Sequence, residues 1–340
     1  MKVALIGAGL RAQEGIIPAL NKISEIELAV ICDLVDENIS KSLEISKNKP
    51  ELVRDYNTLL TRKDIDGIIV VTPNYLHAPM AEIILESGKP LYLEKPMGIS
   101  LEECERIENT AARSGTPMMV GMQLRYADVY TKMKAELDKG SIGKLRSMHY
   151  TQFRMPITPI RSGYKNWKMD KNLSGGTLLE ITVHHMDLFN WFAGCDNAKV
   201  SAFAGHETLY PKFNIWDEAV IIFEFDNTVR ADIEFSLLGA LAIDRNGLCL
   251  LGDKGALIQQ GDRLKIAGFL PENRQEEIPT AGLTDCDEAS FRAFYRLVRE
   301  GGKPLTSPKA GKMAIAAGLA AERSISLARC VSYDEILSHS

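Results

Sequence analysis

A glycine-rich turn near the start of the chain constrains the fold more than any other feature. It joins the apolar run VALI to a segment with helical spacing, and Gly7, Gly9 and Ala12 give it the pattern GxGxxA. The first glycine permits a tight turn, the second lets a pyrophosphate approach the backbone, and the small alanine allows helix and strand to pack closely. Such a turn also occurs without a ligand, so the pattern alone is a weak indication.

A carboxylate at the right distance strengthens this indication. The next apolar run, ELAVIC, is followed by Asp33, which lies 24 residues beyond Gly9, and an acid at this place accepts hydrogen bonds from the adenosine ribose of a dinucleotide. A helix cap is the alternative role for Asp33. The carboxylate would repel a 2′-phosphate, and residues 34–37 include no arginine to receive one. The sequence therefore predicts NAD rather than NADP as the cofactor.

Short apolar runs alternate with amphipathic segments up to about residue 123. The runs are VALIGAG, ELAVICD, DGIIVVTP, LYLEKP and PMMVG. Strands that are apolar on both faces belong in a parallel sheet covered by helices. The sequence therefore predicts an α/β domain over residues 1–123, a doubly wound Rossmann fold, with helices in segments such as Met80–Ser87 and Leu101–Arg113.

Strands that alternate polar and apolar residues dominate the rest of the chain. Runs such as EAVIIFEF favour an antiparallel sheet, with hairpin turns at Asp226-Asn227 and between Gly252 and Gly255. Further helices are expected at Asp128–Leu137, Glu288–Arg299 and Lys309–Leu327. The predicted second domain, residues 124–340, is an α+β fold: an open antiparallel sheet with helices on one face. Its last helices are expected to pack back on the first domain.

Composition and charge argue against several classes of partner. The formal net charge is −5 and no dense run of Lys and Arg occurs, so nucleic acid is not an expected partner. No stretch of about 18 apolar residues is present to span a membrane, and the start MKVALIGAG has the pattern of a strand and not of a signal peptide. The six cysteines are scattered without a CxxC pair, which favours a reducing, cytoplasmic location.

A lysine follows the fifth apolar run, in the segment LYLEKPMG. Ligands of open parallel sheets bind at the carboxyl ends of the strands, so Lys95 is placed to reach a nicotinamide and a substrate hydroxyl. The simpler alternative is a solvated lysine at a strand end.

Six motifs, in order along the chain, resemble those of one family of oxidoreductases. They are GAGLRA, ICD, VVTPNYLH, LEKPMGIS, GMQLRY and GGTLLEITVHHMD, and the family is that of glucose–fructose oxidoreductases, inositol dehydrogenases and MocA-like proteins (Gfo/Idh/MocA). The resemblance extends from residue 1 to the last helices. It implies an N-terminal Rossmann domain, a C-terminal open antiparallel sheet, NAD(H) or NADP(H) as cofactor, and redox chemistry at a ring carbon of a sugar or cyclitol.

The resemblance also implies roles for the matching residues of the first domain. The pyrophosphate would be lined by Gly7, Gly9, Leu10 and Arg11, and the ribose by Asp33. Further along the cofactor would lie Thr72, Pro73, Asn74 and His77. The nicotinamide end would meet Glu94 and Lys95, with Gln123 near the carboxamide or its ribose.

The stretch LEITVHHMD, Leu179–Asp187, holds two histidines between two carboxylates. If it is helical, Glu180 and His184 lie on one face, while His185 points about 100° away. A zinc site needs three or four convergent ligands, and this pair supplies two without cysteines nearby. No metal is therefore predicted.

The resemblance selects His184 as the base that takes the hydroxyl proton when a hydride leaves the substrate carbon. It implies that Lys95 hydrogen-bonds to the same oxygen and that Glu180 binds a neighbouring hydroxyl or orients the imidazole. Trp167 would stack on a sugar ring or, as the simpler alternative, anchor the packing of its loop. Glu180 and Thr182 stand where aspartate and glycine are usual, which weakens the transfer of a specific substrate but not of the reaction class.

Together these features predict an NAD-dependent oxidoreductase that acts on a polyhydroxylated ring. One alternative is an enzyme that retains NAD and uses transient oxidation for elimination or glycoside cleavage. Another is a regulator that binds NAD and a sugar without turnover. The alternating apolar strands of the second domain predict a homodimer or homotetramer formed through its sheet, unless the chain's own helices and loops cover that face.

Overall fold

The computed structural model describes residues 1–154, 166–206, 214–237, 246–269 and 275–338. Contacts within the chain divide it into two compact units. The first comprises Met1–Gln123 and Asp285–Lys312, and the second comprises Leu124–Thr284 and Met313–Ser340. The predicted boundary assigns residues 285–312 to the second domain, with the last helices expected to pack back on the first, and the contacts of residues 285–312 place them in the first unit.

The elements are numbered in chain order. The strands are β1 Lys2–Ile6, β2 Glu27–Cys32, β3 Glu51–Val53, β4 Gly67–Val70, β5 Leu91–Glu94, β6 Met118–Gly121, β7 Leu145–Phe153, β8 Ala198–Gly205, β9 Glu218–Phe225, β10 Arg230–Ser236, β11 Gly247–Gly252, β12 Gly255–Gln260, β13 Arg263–Gly268, β14 Glu276–Ile278 and β15 Val331–Ser332. The α-helices are α1 Ile17–Asn21, α2 Asp36–Ile45, α3 Asn57–Leu60, α4 His77–Glu86, α5 Leu101–Ser114, α6 Asp128–Asp138, α7 Lys171–Ser174, α8 Val183–Ala193, α9 Cys286–Glu300, α10 Pro308–Leu327 and α11 Tyr333–Leu337.

A parallel sheet forms the centre of the first unit. Its strand order is β3-β2-β1-β4-β5-β6, the order of a dinucleotide-binding Rossmann fold, so the predicted fold class is confirmed. The five apolar runs of the sequence correspond to β1, β2, β4, β5 and β6. The sequence does not predict β3, because this strand has three residues and none of them is buried.

Helix α9 belongs to the first unit because its aromatic face packs on β5. Phe291 and Phe294 are fully buried, and their ring centroids lie 4.7 and 5.8 Å from that of Tyr92. The hydroxyl of Tyr92 lies 3.0 Å from Ser290 Oγ on the same helix. Burial of this aromatic cluster holds the returning segment on the sheet.

A second, larger sheet forms the centre of the second unit. Among the described residues it has nine strands in the order β14-β13-β12-β11-β7-β10-β9-β8-β15. The predicted hairpins β9–β10 and β11–β12 are present. One pair departs from the predicted antiparallel arrangement, because β7 and β10 are parallel. This pairing is accessible because α7, α8, β8 and β9 separate the two strands along the chain and provide the long crossover that parallel pairing needs.

The two faces of this sheet differ in burial. On β9, residues alternate strictly between exposed and buried, and the buried Phe223 packs edge-to-face on Phe189 of α8 at 5.8 Å. The opposite face carries apolar side chains that are open in the single chain: Phe203 is 76% exposed, Val220 45% and Ile222 50%. No helix within the described ranges is long and apolar enough to cross a membrane.

Candidate active site

The glycine turn follows β1 at the carboxyl edge of the parallel sheet. Gly7 has φ +93°, and a Cβ on it would lie 2.5 Å from the carbonyl oxygen of Val71, so both conformation and space require glycine. A Cβ on Gly9, by contrast, would meet no heavy atom within 4 Å. Packing within the protein therefore does not explain Gly9, and the open backbone beside it fits the close approach of a pyrophosphate.

The segment after the turn begins as a π-helix over Ala12–Ile16 and continues as α1. Ala12 is fully buried, as expected for the third position of the motif, while Leu10 is 45% exposed at the turn. Pro18 is the second residue of α1 and lies inside this continuous helical segment, so its missing N–H group removes one helical hydrogen bond.

The carboxylate of Asp33 is fixed at the end of β2 by backbone groups. Its Oδ2 accepts a hydrogen bond from the N–H of Ala8 (2.7 Å) and its Oδ1 from the N–H of Val35 (2.8 Å). These bonds tie the acid to the glycine turn. Both oxygens also lie 3.3–3.4 Å from Nδ2 of Asn38, and these contacts are longer than the two backbone bonds. A ribose hydroxyl could replace these longer contacts, so the geometry is compatible with the predicted role of Asp33.

The residues after β4 are partly or fully inside the unit. Thr72 and Pro73 are half-buried, whereas Asn74 and His77 are buried. The ring nitrogens of His77 lie 2.7 Å from the carbonyl oxygen of Pro96 and 3.0 Å from that of Thr72. His77 therefore connects the strand-end turns after β4 and β5, and its predicted place along the cofactor remains a prediction.

A partly buried ion-pair network connects the glycine turn with the end of β5 and with α9. Nε of Arg11 donates to Oε1 of Glu94 at 2.6 Å. The two terminal nitrogens of the same guanidinium donate to the carboxylate of Asp287 at 2.8 and 2.5 Å. The other oxygen of Glu94 accepts from the backbone N–H of Lys95 at 2.6 Å. Arg11 thus fixes Glu94, and Glu94 fixes the backbone at the half-buried Lys95.

The charge balance of this network keeps Arg11 ionised. Burial lowers the pKa of the Arg11 guanidinium, but the charge of Glu94 and the hydrogen bonds to Asp287 outweigh burial and raise the pKa above its usual range. Glu94 is only 3% exposed, so removing the guanidinium would leave a buried carboxylate without its cation. The side chain of Arg11 is directed to these two acids, and its backbone belongs to the turn.

Gln123 follows β6 and carries a buried amide oxygen. Within the described residues, Oε1 of Gln123 has no hydrogen-bond partner. A buried polar atom without a partner is uncommon and costs free energy. A nicotinamide carboxamide or a ribose hydroxyl would satisfy it, which fits the predicted place of Gln123. Together with the open backbone at Gly9 and the fixed carboxylate of Asp33, this atom makes the first unit compatible with NAD.

The segment that carries Glu180 in the second unit is helical, but not α-helical throughout. Leu178–Thr182 form a π-helix that leads into α8, so Glu180 and His184 do not have the simple α-helical spacing that the sequence suggests. The carboxylate of Glu180 lies 2.8 Å from Nζ of Lys168, and this ammonium also lies 5.4 Å from the ring centroid of Trp167. Glu180, Lys168 and Trp167 thus form one cluster.

The two neighbouring histidines have different environments. His184 is partly exposed, whereas His185 is 4% exposed and its ring stacks on Tyr150 at 3.7 Å between centroids. Burial, with a smaller contribution from Arg154, lowers the pKa of His185 to about 3, so this imidazole is neutral at physiological pH. Of these two neighbours, His184 is the one whose side chain is partly open to solvent.

Asp187 has a structural partner that the sequence does not reveal. Its carboxylate accepts two hydrogen bonds from Arg125, at 2.7 and 2.8 Å, and both side chains are buried. Burial raises the pKa of Asp187, and the guanidinium opposes this rise. The guanidinium carbon of Arg125 also lies 5.6 Å from the ring centroid of Trp191. This pair fixes α8 to the segment that follows Gln123.

Thr182 lies inside the helix packing. The side chain is fully buried, and its hydroxyl donates to the carbonyl oxygen of Leu178 at 2.6 Å. A hydroxyl bonded to its own helix satisfies a π-helical carbonyl. The threonine at the usual glycine position therefore acts through the helix and not as a group open to solvent.

Two further points concern the rest of the predicted site. In the part of the chain that the structure describes, no group of three or more His, Cys, Asp and Glu residues could hold a metal ion. Tyr164 and Lys165, which shortly precede Trp167 in the sequence, lie outside the described residues.

Several residues of the site are missed by sequence reasoning. Asp287, Lys168 and Arg125 each bind a predicted or neighbouring site residue, but their partners lie far away in sequence or across irregular structure. Gly15 is a fourth case, because a Cβ there would collide with Nη1 of Arg11 and lie 2.8 Å from Oδ2 of Asp287. A glycine one turn after the motif, inside a helical pattern, is the only hint that the sequence gives of this network.

Comparison with known proteins gives consistent results for both units. Residues 1–122 match the model of the Gfo/Idh/MocA oxidoreductase family with an NAD-binding Rossmann fold. Residues 130–258 match the Gfo/Idh/MocA C-terminal domain. An inositol 2-dehydrogenase of Salmonella paratyphi B is 24% identical over 204 residues, which are 60% of this chain and 57% of that protein. The matched region is thus less than two thirds of that relative's length.

Solved structures share the fold over nearly the whole chain. An oxidoreductase from Agrobacterium radiobacter, in complex with NAD+, L-tartaric acid and magnesium, is 20% identical with a TM-score of 0.86, covering 98% of both chains. Levoglucosan dehydrogenase, in complex with NADH and levoglucosan, is 19% identical with a TM-score of 0.85, covering 98% of this chain and 99% of that one. At these identities the likeness establishes the fold alone.

Replacing Gly15 with alanine tests the ion-pair network. In an unconstrained helix this change stabilises by roughly 1 kcal/mol. Here the new methyl group would separate Arg11 from Asp287, so we expect the free energy of unfolding to fall by about 2–4 kcal/mol in chemical denaturation. In an Arg11→Met background the same change should be neutral or stabilising; an equal loss in both backgrounds would show that Arg11 is not the obstacle.

Proposed function

Because the chain belongs to the Gfo/Idh/MocA family of NAD-binding oxidoreductases, we propose that it transfers a hydride between nicotinamide and a ring carbon of a sugar, sugar derivative or cyclitol. The observation that carries this proposal is the fixed turn after β5, where Arg11 holds Glu94 and Glu94 holds the backbone of Lys95. The named activities of relatives, on inositol and on levoglucosan, support a polyhydroxylated ring as the substrate class.

In this proposal NAD, when bound, accepts the hydride from the substrate carbon. Gly7, Gly9 and the backbone of Leu10 and Arg11 hold its pyrophosphate, Asp33 its adenosine ribose, and Gln123 its carboxamide end. The side chain of Arg11 has a different task from the one its position in the motif suggests. It neutralises Glu94 and thereby stiffens the turn from which Lys95 extends.

The hydroxyl proton is handled by Lys95 and His184 in the same proposal. Lys95 donates a hydrogen bond to the reacting oxygen and stabilises negative charge that develops there. His184 accepts the proton as the general base. The partial exposure of His184 and the burial of a neutral His185 support this choice between the two.

Glu180 and Lys168 have a supporting part. Their ion pair lies beside the indole of Trp167, and we propose that this cluster binds substrate hydroxyls while the indole stacks on the apolar face of the ring. The longer side chain of glutamate reaches Lys168 and neutralises it. The hydroxyl groups of the substrate would then bind to the Glu180–Lys168 ion pair and not to an isolated carboxylate.

Conservative variants of Lys95 and His184 test the catalytic assignment. The assay is NAD reduction with a panel of inositols, hexoses, amino sugars and sugar acids, followed by kinetics on the best substrate. We expect Lys95→Met and His184→Asn each to lower kcat by about 10²–10⁴-fold, while the Kd for NADH, measured by fluorescence titration, changes less than about threefold. His185→Asn serves as the matched control and should keep near-native turnover if it folds.

Three outcomes would contradict the proposal in different ways. Near-native turnover of His184→Asn would remove His184 as the base. Product formation without added NAD, by protein that carries the dinucleotide through purification, would instead identify an enzyme that retains its cofactor, and NADH binding without turnover of any sugar would identify a regulator.

We also propose that the open face of the second sheet binds a second copy of the chain, forming a homodimer or homotetramer. Phe203 and Val220 are direct cross-strand neighbours on this face, and Ile222 extends the same apolar surface. Light scattering should show an assembly of at least two chains. We expect Ile222→Glu to dissociate it at micromolar concentration, and Glu224→Gln, on the same strand face, to leave it intact; a monomeric wild-type protein would contradict the proposal.

A further inference from the structure

An arginine lies beside the acid that the fold assigns to the adenosine ribose. Strands β2 and β3 are parallel neighbours, and Cys32 is in register with Val53. The residues that follow them, Asp33 and Arg54, therefore emerge side by side at the carboxyl edge of the sheet. The local sequence after Asp33 contains no arginine, so this proximity is visible only once the short strand β3 is placed.

Arg54 makes two contacts that orient its guanidinium. Nη1 donates to the backbone carbonyl oxygen of Asp33 at 3.2 Å. Nη2 pairs with Oδ1 of Asp36, the first residue of α2. The guanidinium therefore lies beside Asp33, at the place where a dinucleotide with a 2′-phosphate would carry its extra charge.

The ion pair with Asp36 is exposed and weak. The side chain of Arg54 is 51% exposed and that of Asp36 is 88% exposed, and pairs at this exposure contribute little because water screens them. A phosphate dianion binds a guanidinium more strongly than one carboxylate does and suits its planar fork. A 2′-phosphate would therefore have to compete with the carboxylate of Asp36 for the guanidinium of Arg54.

We propose that Asp36 is a second determinant of dinucleotide choice and that it acts by neutralising Arg54. Asp33 repels a 2′-phosphate directly, and Asp36 pairs with Arg54, a cation beside Asp33 that would attract the phosphate. This inference rests on the proposed preference for NAD. It assigns that preference to two carboxylates with separate actions, of which the second depends on Arg54.

The chain supplies a matched control for this assignment. Glu37, the next residue of α2, pairs with Lys41 at 2.7 Å and not with Arg54. Glu37→Gln and Asp36→Asn remove the same charge from the same helical turn. A general electrostatic effect of that charge would appear in both variants, whereas release of Arg54 would appear only in Asp36→Asn.

The test measures the binding of NADPH and NADH to the full-length protein by fluorescence titration at pH 8, where the 2′-phosphate is a dianion, and at fixed ionic strength. We expect Asp36→Asn to raise the affinity for NADPH about 5–10-fold relative to NADH, and Glu37→Gln to change this ratio less than about twofold. Adding Arg54→Met to Asp36→Asn should return the ratio to that of the wild type or below it.

The outcomes separate this inference from the proposed function. Equal ratios in Asp36→Asn and Glu37→Gln, or a gain that persists without Arg54, would overturn the role of Asp36. A wild-type protein that binds NADPH more tightly than NADH would overturn the proposed preference for NAD, while the difference between the two variants would still decide the role of Asp36. Binding of neither dinucleotide to any variant would contradict both.

Discussion

The guanidinium of Arg11, which pairs with the buried carboxylate of Glu94, makes the interaction on which the first unit's site depends. It joins three segments that are far apart in sequence: the glycine turn, the end of β5 at Glu94, and the start of α9 at Asp287. A guanidinium and a carboxylate that are largely removed from water are stable only when each compensates the other. Together with the aromatic cluster of Tyr92, Phe291 and Phe294, the network holds the returning residues 285–312 on the unit that the first 123 residues build.

This network also gives the fold a functional consequence. Arg11 belongs to the glycine turn and, through Glu94, holds the backbone of Lys95. Under the proposed function, two charge-assisted hydrogen bonds would connect the turn that binds the pyrophosphate with the lysine that contacts the substrate. A buried ion pair also fixes a site element in the second unit, where Arg125 and Asp187 hold α8. His184 on the same helix is partly exposed.

The parts of the structure that the sequence predicts are those governed by local patterns. Apolar runs locate five of the six parallel strands, hairpin signals locate the turns after β9 and β11, and the conformation of Gly7 follows from its motif. Helical geometry separates His184 from His185, and the structure agrees, with one imidazole accessible and the other stacked on Tyr150. Each of these features depends on residues a few positions apart.

The features that the sequence does not predict depend on distant residues or on irregular helices. Strand β3 is too short and too exposed to carry a pattern, yet it places Arg54 beside Asp33. The π-helix at Leu178–Thr182 changes the relation between Glu180 and His184, and Glu180 then pairs with Lys168. Asp287 has no motif at all and is recognised only by its contact with Arg11.

The central claim, that a hydride passes between a ring carbon and nicotinamide, is tested most directly with isotopically labelled substrate. A panel of inositols and hexoses deuterated at the ring carbons would be incubated with the protein and NAD, and the reduced cofactor examined by mass spectrometry. The account predicts one deuterium in each NADH formed, with slower turnover of the labelled substrate. Reduced cofactor without deuterium, or a panel in which no substrate transfers deuterium, would contradict it.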